Sequence, residues 1–334
     1  MQKIQFAIIG CGRAAAIHAA QIGQYGQLIA VCDTNLVKGK AFAAIHGVPF
    51  YEDYTALLKQ ETNITVVVIC TPNGLHAAQA IAAMKRGYHV LVEKPMALNL
   101  KDARKMMAVA ESTGRQLFTV MQNRFNPPVV ALKQALDKGR LGKLYSVQLN
   151  CFWNRNAAYY KNNWHGTREL DGGILFTQFS HFIDVLIWFF GPVQQVKSVL
   201  KNAAHQGQIA LEDQGAVLLE WKNGLIGTLH YSVNSFSKNR EGSLTVLGEK
   251  GMVKIGGEYL NLLEYAHLER GTISLKKEAA PANQYGTYQG SMGNHGQVYK
   301  SLVASLQKGK PYYTSAANAK DTIALIQQIM KSSS

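Results

Sequence analysis

The chain is short of acid. Its 334 residues carry 21 Asp and Glu against 35 Lys and Arg, a formal charge of +14. Such an imbalance invites a nucleic-acid or membrane-surface role. The basic residues are spread along the whole sequence, however, with no block of five like charges, and dispersed charge is a solvated surface. No nucleic-acid motif accompanies the charge, so nucleic acid is not expected as a partner. Cysteine is scarce too. Cys11, Cys32, Cys70 and Cys151 form no C-x-x-C pair, which argues against a disulfide scaffold and a zinc finger and for a reducing compartment. Hydrophobic runs are short. The first, Ile4 to Ile9, stops at Gly10, and the densest, Phe179 to Phe190, is interrupted by His181 and Asp184. No membrane association and no leader peptide are therefore expected, and a cytoplasmic protein is.

What is present is enough apolar material, 47% of residues, for one large or two medium domains. The N-terminal third alternates strand and helix signals, the pattern of a parallel sheet with crossover helices. Strands are expected at Gln5 to Ile9, Leu28 to Cys32, Thr65 to Cys70, His89 to Val92 and Gln116 to Met121. Helices are expected at Arg13 to Gly23, Leu36 to His46, Gly74 to Lys85 and Lys101 to Ser112. The remainder reads differently. A helix at Val129 to Lys138 precedes an alternating strand, Lys143 to Trp153, then one long apolar helix, Ile174 to Phe190. Strands follow at Val193 to Leu200, Gly215 to Trp221, Leu225 to Ser232, Ser243 to Leu247 and Met252 to Ile255, with a hairpin turn at Asn223-Gly224. His295 to Gln307 and Ser315 to Lys331 read as closing helices.

Gly10-Cys11-Gly12-Arg13-Ala14-Ala15 fits G-x-G-x-x-A between a strand and a helix. The first Gly permits the tight turn, the second lets the backbone approach a pyrophosphate, and Ala15 keeps helix and strand close. Asp33 follows Gly10 by 23 positions, at the end of the second strand, where a carboxylate binds both ribose hydroxyls and repels a 2′-phosphate. NAD is expected over NADP. Thr71 and Asn73 follow the next strand, and Glu93 and Lys94 the one after, all at the sheet edge where ligands bind. The expected fold class is α/β: a doubly wound Rossmann domain over residues 1–122, then an α+β domain over 123–334 with a large, mostly antiparallel sheet. The second domain is expected to bind substrate and to leave one sheet face for self-association, as a homodimer or homotetramer.

Glu93-Lys94-Pro95, the glycine motif, and Thr71-Pro72-Asn73 with His76 together resemble the Gfo/Idh/MocA oxidoreductase family. The resemblance spans essentially the whole chain and includes Gly172-Gly173-Ile174-Leu175, His181-Phe182-Ile183-Asp184, Trp188 and Gly191. It implies NAD(P)-dependent oxidation or reduction at a sugar or cyclitol carbon, with Lys94 and His181 beside the nicotinamide. Many members carry Asp four residues before the histidine; here that residue is Thr177. The branch acting on UDP-N-acetylglucosaminuronate also lacks the Asp. Thr177-Gln178, the stretch from Gln122 to Pro127 and Trp164-His165-Gly166-Thr167 look like that branch. The resemblance thus implies a sugar-nucleotide 3-dehydrogenase of surface-polysaccharide biosynthesis, with His76, Gln122 and Trp164 near the cofactor and Thr177 and Gln178 near the substrate.

Oxidising a secondary alcohol needs a hydride acceptor and a base. His181 is one candidate base, since its ordinary pKa lies near neutrality. Lys94 is the other, either neutralised by burial or polarising the oxygen as a cation. Asp184, three positions after His181, is expected as its helix-side partner. A uronate or pyrophosphate needs cations and stacking groups, for which Arg124, Arg155, Arg168 and Tyr160 are candidates. His165, His181, His205 and His230 show no ligand spacing, so no metal is expected. A free-sugar or inositol dehydrogenase, and a non-enzymatic NAD-binding regulator, are the alternatives.

Overall fold

The computed structural model describes residues 3–161, 164–275, 281–284 and 289–333. The first stretch folds as β1 (Ile4–Ile9), α1 (Arg13–Tyr25), β2 (Gly26–Cys32), α2 (Leu36–His46), β3 (Phe50–Tyr51), α3 (Tyr54–Gln60), β4 (Val66–Ile69), α4 (His76–Lys85), β5 (His89–Val92), α5 (Leu100–Thr113) and β6 (Leu117–Thr119). Its strands form one parallel sheet in the order β3-β2-β1-β4-β5-β6. All four residues of β4 are buried, as a strand covered by helices on both faces requires. Local signals set the helix ends. Asn35 and Asn99 cap α2 and α5 by accepting from the Lys38 and Asp102 amides, and left-handed Gly47 and Gly114 stop them. The order reverses direction between β1 and β4, so their carboxyl ends form the crevice where such sheets bind ligands.

The next stretch comprises α6 (Pro127–Asp137), β7 (Leu144–Phe152), α7 (Ala157–Tyr160), α8 (Ile174–Thr177), α9 (Ser180–Phe190), β8 (Gln195–Lys201), β9 (Gln214–Glu220), β10 (Ile226–Ser232), β11 (Glu241–Gly248), β12 (Gly251–Gly256), β13 (Leu262–Leu268), β14 (Ala282–Gln284) and β15 (Gln289–Met292). The helices α10 (His295–Lys308) and α11 (Ala316–Lys331) close the chain. Seven strands form a sheet in the order β13-β12-β11-β7-β10-β9-β8, antiparallel except for the β7–β10 pair. Val217, Leu229, Leu149 and Leu244 lie side by side across four strands and are all buried. On the opposite face Val199, Leu218 and Ile226 are more than half exposed. Among the described residues no helix is long and apolar enough to cross a membrane.

Two differences from the sequence reading matter for the site. The expected helix Ile174 to Phe190 is two helices, broken at Gln178 and Phe179, which puts His181 in the first turn of α9. The chain also divides into two compact units, but not at one boundary. Unit one holds Met1–Val120 and His295–Ile323, and unit two holds Met121–Asn294 and Ala324–Ser334. The reason is α10: its buried Val298, Tyr299 and Leu302 pack into the first unit, Tyr299 meeting Phe6 and Tyr25 ring to ring.

Candidate active site

In the first unit, the loop after β1 fits a dinucleotide. Gly10 has a φ of +93°, and a Cβ there would come within 2.8 Å of the Cys70 carbonyl group. At Gly12 a Cβ would meet nothing within 4 Å, so this backbone lies open to a ligand. Gly12 is the N-cap of α1 and offers no side-chain cap, so the helix N-terminus faces this open loop, and Ala15 is fully buried. Asp33 accepts from the Cys11 amide (2.7 Å) and the Asn35 amide (2.8 Å), which fixes its carboxylate beside the glycine loop.

The second part of this edge is built from two turns. Thr71 donates its hydroxyl to Gln79 Oε1 (2.6 Å), and Asn73 is buried in the short turn that leads into α4. His76, an expected cofactor ligand, sits between two main-chain carbonyls, Pro95 (2.7 Å from Nδ1) and Thr71 (2.9 Å from Nε2). Burial lowers its pKa against the pull of those carbonyls. Both ring nitrogens are engaged, so His76 ties the Thr71 turn to the Lys94-Pro95 turn.

Glu93 follows β5 directly, in a cluster that the sequence does not announce. Its Oε1 accepts from His18 Nε2 (2.9 Å) on α1 and lies 3.6 Å from His295 Nε2 on α10, while its Oε2 accepts from the Lys94 amide (3.1 Å). Glu93 is held well below the usual carboxylate range, the hydrogen bond from His18 and the nearby His295 outweighing its desolvation. Burial lowers the pKa of His18. The three donor atoms of His18, Glu93 and His295 lie within 4.8 Å of one another.

In the second unit, His181 is 3% exposed in the first turn of α9. Asp184, its expected partner, turns to Arg124. The guanidinium grips the carboxylate with two 2.7 Å bonds, both side chains are almost completely buried, and Trp188 covers the guanidinium at 4.9 Å. An anionic substrate would have to displace this carboxylate to reach Arg124. Arg155 is also buried, bonded to the Asn154 carbonyl and Asn239 Oδ1 and lying over the Trp153 and Tyr159 rings. Thr177 gives its hydroxyl to Asp171, Gln178 donates to the Tyr159 hydroxyl (2.9 Å), and Trp164 stacks on His165. Several buried polar atoms lack a protein partner: Gln122 Oε1, both amide atoms of Asn123, the Tyr160 hydroxyl, Gln178 Oε1 and Ser180 Oγ. Such atoms are uncommon in folded proteins and mark places where water or a polar ligand completes the hydrogen bonding.

Arg168 differs from the other two arginines. It is exposed and lines a cavity of about 430 Å³ with Lys201, Lys331 and the buried Glu212. Burial pushes the Glu212 carboxyl up to about 7. The folded chain therefore holds this proton more tightly than the unfolded chain does, and the associated stability is full below about pH 4.3 and lost as pH rises through 7. The loss is about 3 kcal/mol at alkaline pH. Glu212→Gln is expected to raise the melting temperature near pH 8 and leave it unchanged near pH 5. An equal melting temperature at the higher pH would count against the buried neutral carboxyl.

Comparison with known proteins agrees with this geometry. The model of an oxidoreductase family with an NAD-binding Rossmann fold matches residues 4–121, and the model of that family's C-terminal alpha/beta domain matches 133–334. The WlbA dehydrogenase of Bordetella pertussis, crystallised with NADH and UDP-GlcNAcA, is 33% identical with a TM-score of 0.88, over 99% of this chain and 96% of that one. The WlbA dehydrogenase of Chromobacterium violaceum, with the same ligands, is 31% identical with a TM-score of 0.89, over 99% and 94%. The 1-carboxy-3-chloro-3,4-dihydroxycyclohexa-1,5-diene dehydrogenase of Comamonas testosteroni is 33% identical over 67% of this chain and 56% of its own length.

Proposed function

This chain belongs to the Gfo/Idh/MocA oxidoreductase family, and within it we propose an NAD-dependent dehydrogenase acting at C3 of a UDP-linked N-acetyl-hexosaminuronate. The observation that carries the reading is likeness over 99% of the chain to two dehydrogenases crystallised with NADH and UDP-GlcNAcA. Thr177, standing where many relatives have Asp, supports the same branch. So do the unpartnered polar atoms of Gln122, Asn123, Tyr160, Gln178 and Ser180, which sugar hydroxyls and an amide would satisfy. Arg168, with Lys201 and Lys331 around the same cavity, is the cationic group best placed to meet an anion.

NAD, when bound, accepts the hydride from the alcohol carbon. The residues that would hold it are the amides after Gly12, Asp33 at the ribose, and Thr71, Asn73, Glu93, Gln122 and Trp164. Either Lys94 takes the departing hydroxyl proton as a neutral amine, or it polarises the alcohol oxygen as a cation while His181 takes the proton. The Arg124–Asp184 ion pair holds α9 and so orients His181. The open face bearing Val199, Leu218 and Ile226 joins copies of the chain, and a single-chain mass by light scattering refutes that.

The decisive assay follows nicotinamide reduction when UDP-N-acetylglucosaminuronate is added with NAD. Turnover with this sugar, and its inhibition by UDP, is the expected result. The second reading, a dehydrogenase of a small cyclic alcohol without a nucleotide, is favoured by the likeness to the cyclohexadiene dehydrogenase. It predicts turnover with a free sugar or inositol and no stabilisation of the protein by UDP.

A further inference from the structure

Tyr299 lies more than two hundred residues from Glu93 in sequence, yet its fully buried hydroxyl is 2.9 Å from His18 Nδ1. The other nitrogen of His18 faces Glu93 Oε1, also at 2.9 Å. Burial lowers the ring's pKa from its ordinary value, and the neutral ring carries one proton. A proton on Nδ1 would turn a bare nitrogen lone pair toward the carboxylate. The arrangement that satisfies both contacts has the Tyr299 hydroxyl donating to Nδ1 and Nε2–H donating to Glu93. Glu93, thus held, accepts from the Lys94 amide. We propose that Tyr299 is a positioning residue: it sets the tautomer of His18, which fixes Glu93 and the turn that carries Lys94. The logic is that of a carboxylate-oriented histidine, with a phenol as the orienting group and the carboxylate as the output.

The groups facing Glu93 come from four elements. They are His18 on α1, Cys70 after β4, His76 on α4, and His295 and Tyr299 on α10, with Lys94 next in the chain and Tyr312 beyond α10. Of these, His18 is the one whose hydrogen-bonding direction Tyr299 controls.

Tyr299→Phe keeps the ring contacts with Phe6 and Tyr25 and removes only the hydroxyl. Expected is a roughly tenfold lower kcat, with KM for the sugar unchanged and the chain still folded at neutral pH. Because Glu93 loses a fixed donor, its carboxyl protonates at higher pH, and acid unfolding of the ligand-free chain starts at higher pH. His18→Gln has no tautomer to set. In that background Tyr299→Phe is expected to change neither kcat nor the acid-unfolding midpoint. An equal loss in both backgrounds overturns the proposal, as does a Tyr299→Phe variant with unaltered kcat and acid midpoint. Stoichiometric zinc in the purified chain, held by His18, Glu93 and His295, also overturns it, because the metal would take the place of the Nε2 proton. The kinetic arm rests on the dehydrogenase reading. If the wild-type chain oxidises none of the sugars offered, that reading fails, and the acid-unfolding arm still decides the role of Tyr299.

Discussion

Lys94→Ala is expected to lower turnover about a thousandfold while NAD still binds, the loss typical of removing a proton-transfer or oxyanion-stabilising group. The separation is anticipated because the proposed dinucleotide site, made of the glycine loop, the start of α1 and Asp33, consists of main-chain amides and a carboxylate that the substitution leaves alone. The backbone of the Lys94 turn is fixed from outside the side chain, by Glu93 on its amide and by His76 on the Pro95 carbonyl. Alanine therefore deletes the ammonium without collapsing the turn. Lys94→Arg separates the two roles left open for this residue. A guanidinium keeps a permanent positive charge and does not give up its proton at any ordinary pH. Partial activity in Lys94→Arg with a flat alkaline profile assigns polarisation to Lys94 and proton acceptance to His181. Activity as low as in alanine makes Lys94 the proton acceptor. Turnover undiminished in Lys94→Ala removes it from the chemistry altogether. Cofactor binding is read by quenching of tryptophan fluorescence, independently of any substrate.

The cofactor half was legible because its signals are local. A buried β-branched run such as Val66–Ile69, Asn caps and terminal glycines define strands and helices within a few residues, and the glycine motif needs only a strand before it and a helix after it. Two-residue β3 and seven-residue α3 escaped because they are too short for any periodicity. β13 escaped because it is a half-exposed strand on the sheet's edge, whose Leu262, Glu264 and His267 carry no clean alternation. The apolar run from Ile174 to Phe190 hid the break at Gln178, since hydrophobic content persists through it while the hydrogen bonding does not. The second-unit site was least legible. Arg124, Arg155 and Arg168 are alike in sequence, and only tertiary contacts separate a buried ion pair, a buried stacked cation and an exposed cavity residue. The cluster of His18, Glu93, His295 and Tyr299 has no sequence spacing at all, because α10 returns to the first unit after the entire second sheet.

The Arg124–Asp184 pair carries the largest expected effect on stability. Both side chains are almost completely buried and meet through two short bonds, so removing one leaves the other charged and dry. Arg124→Ala or Asp184→Ala is expected to destabilise the fold by about 3–5 kcal/mol. Melting then falls by roughly 10 °C in a chain of this size. The pair's net contribution is much smaller than either deletion suggests, because desolvation offsets most of its Coulomb attraction. Replacing both members with apolar residues of similar volume, Arg124→Met with Asp184→Leu, is accordingly expected to restore most of the melting temperature. Restored stability need not restore activity. The ion pair joins the turn containing Gln122 and Asn123 to α9, and His181 lies one helical turn before Asp184 on that helix. Bidentate geometry fixes both the distance and the rotation of the helix, whereas Met against Leu fixes neither. The double variant is therefore expected to melt near the wild type and turn over slowly, with NAD affinity unchanged. Wild-type turnover in that variant would show that α9 is held by its apolar packing alone, and a double variant as unstable as the single ones would show that the charges themselves stabilise the fold.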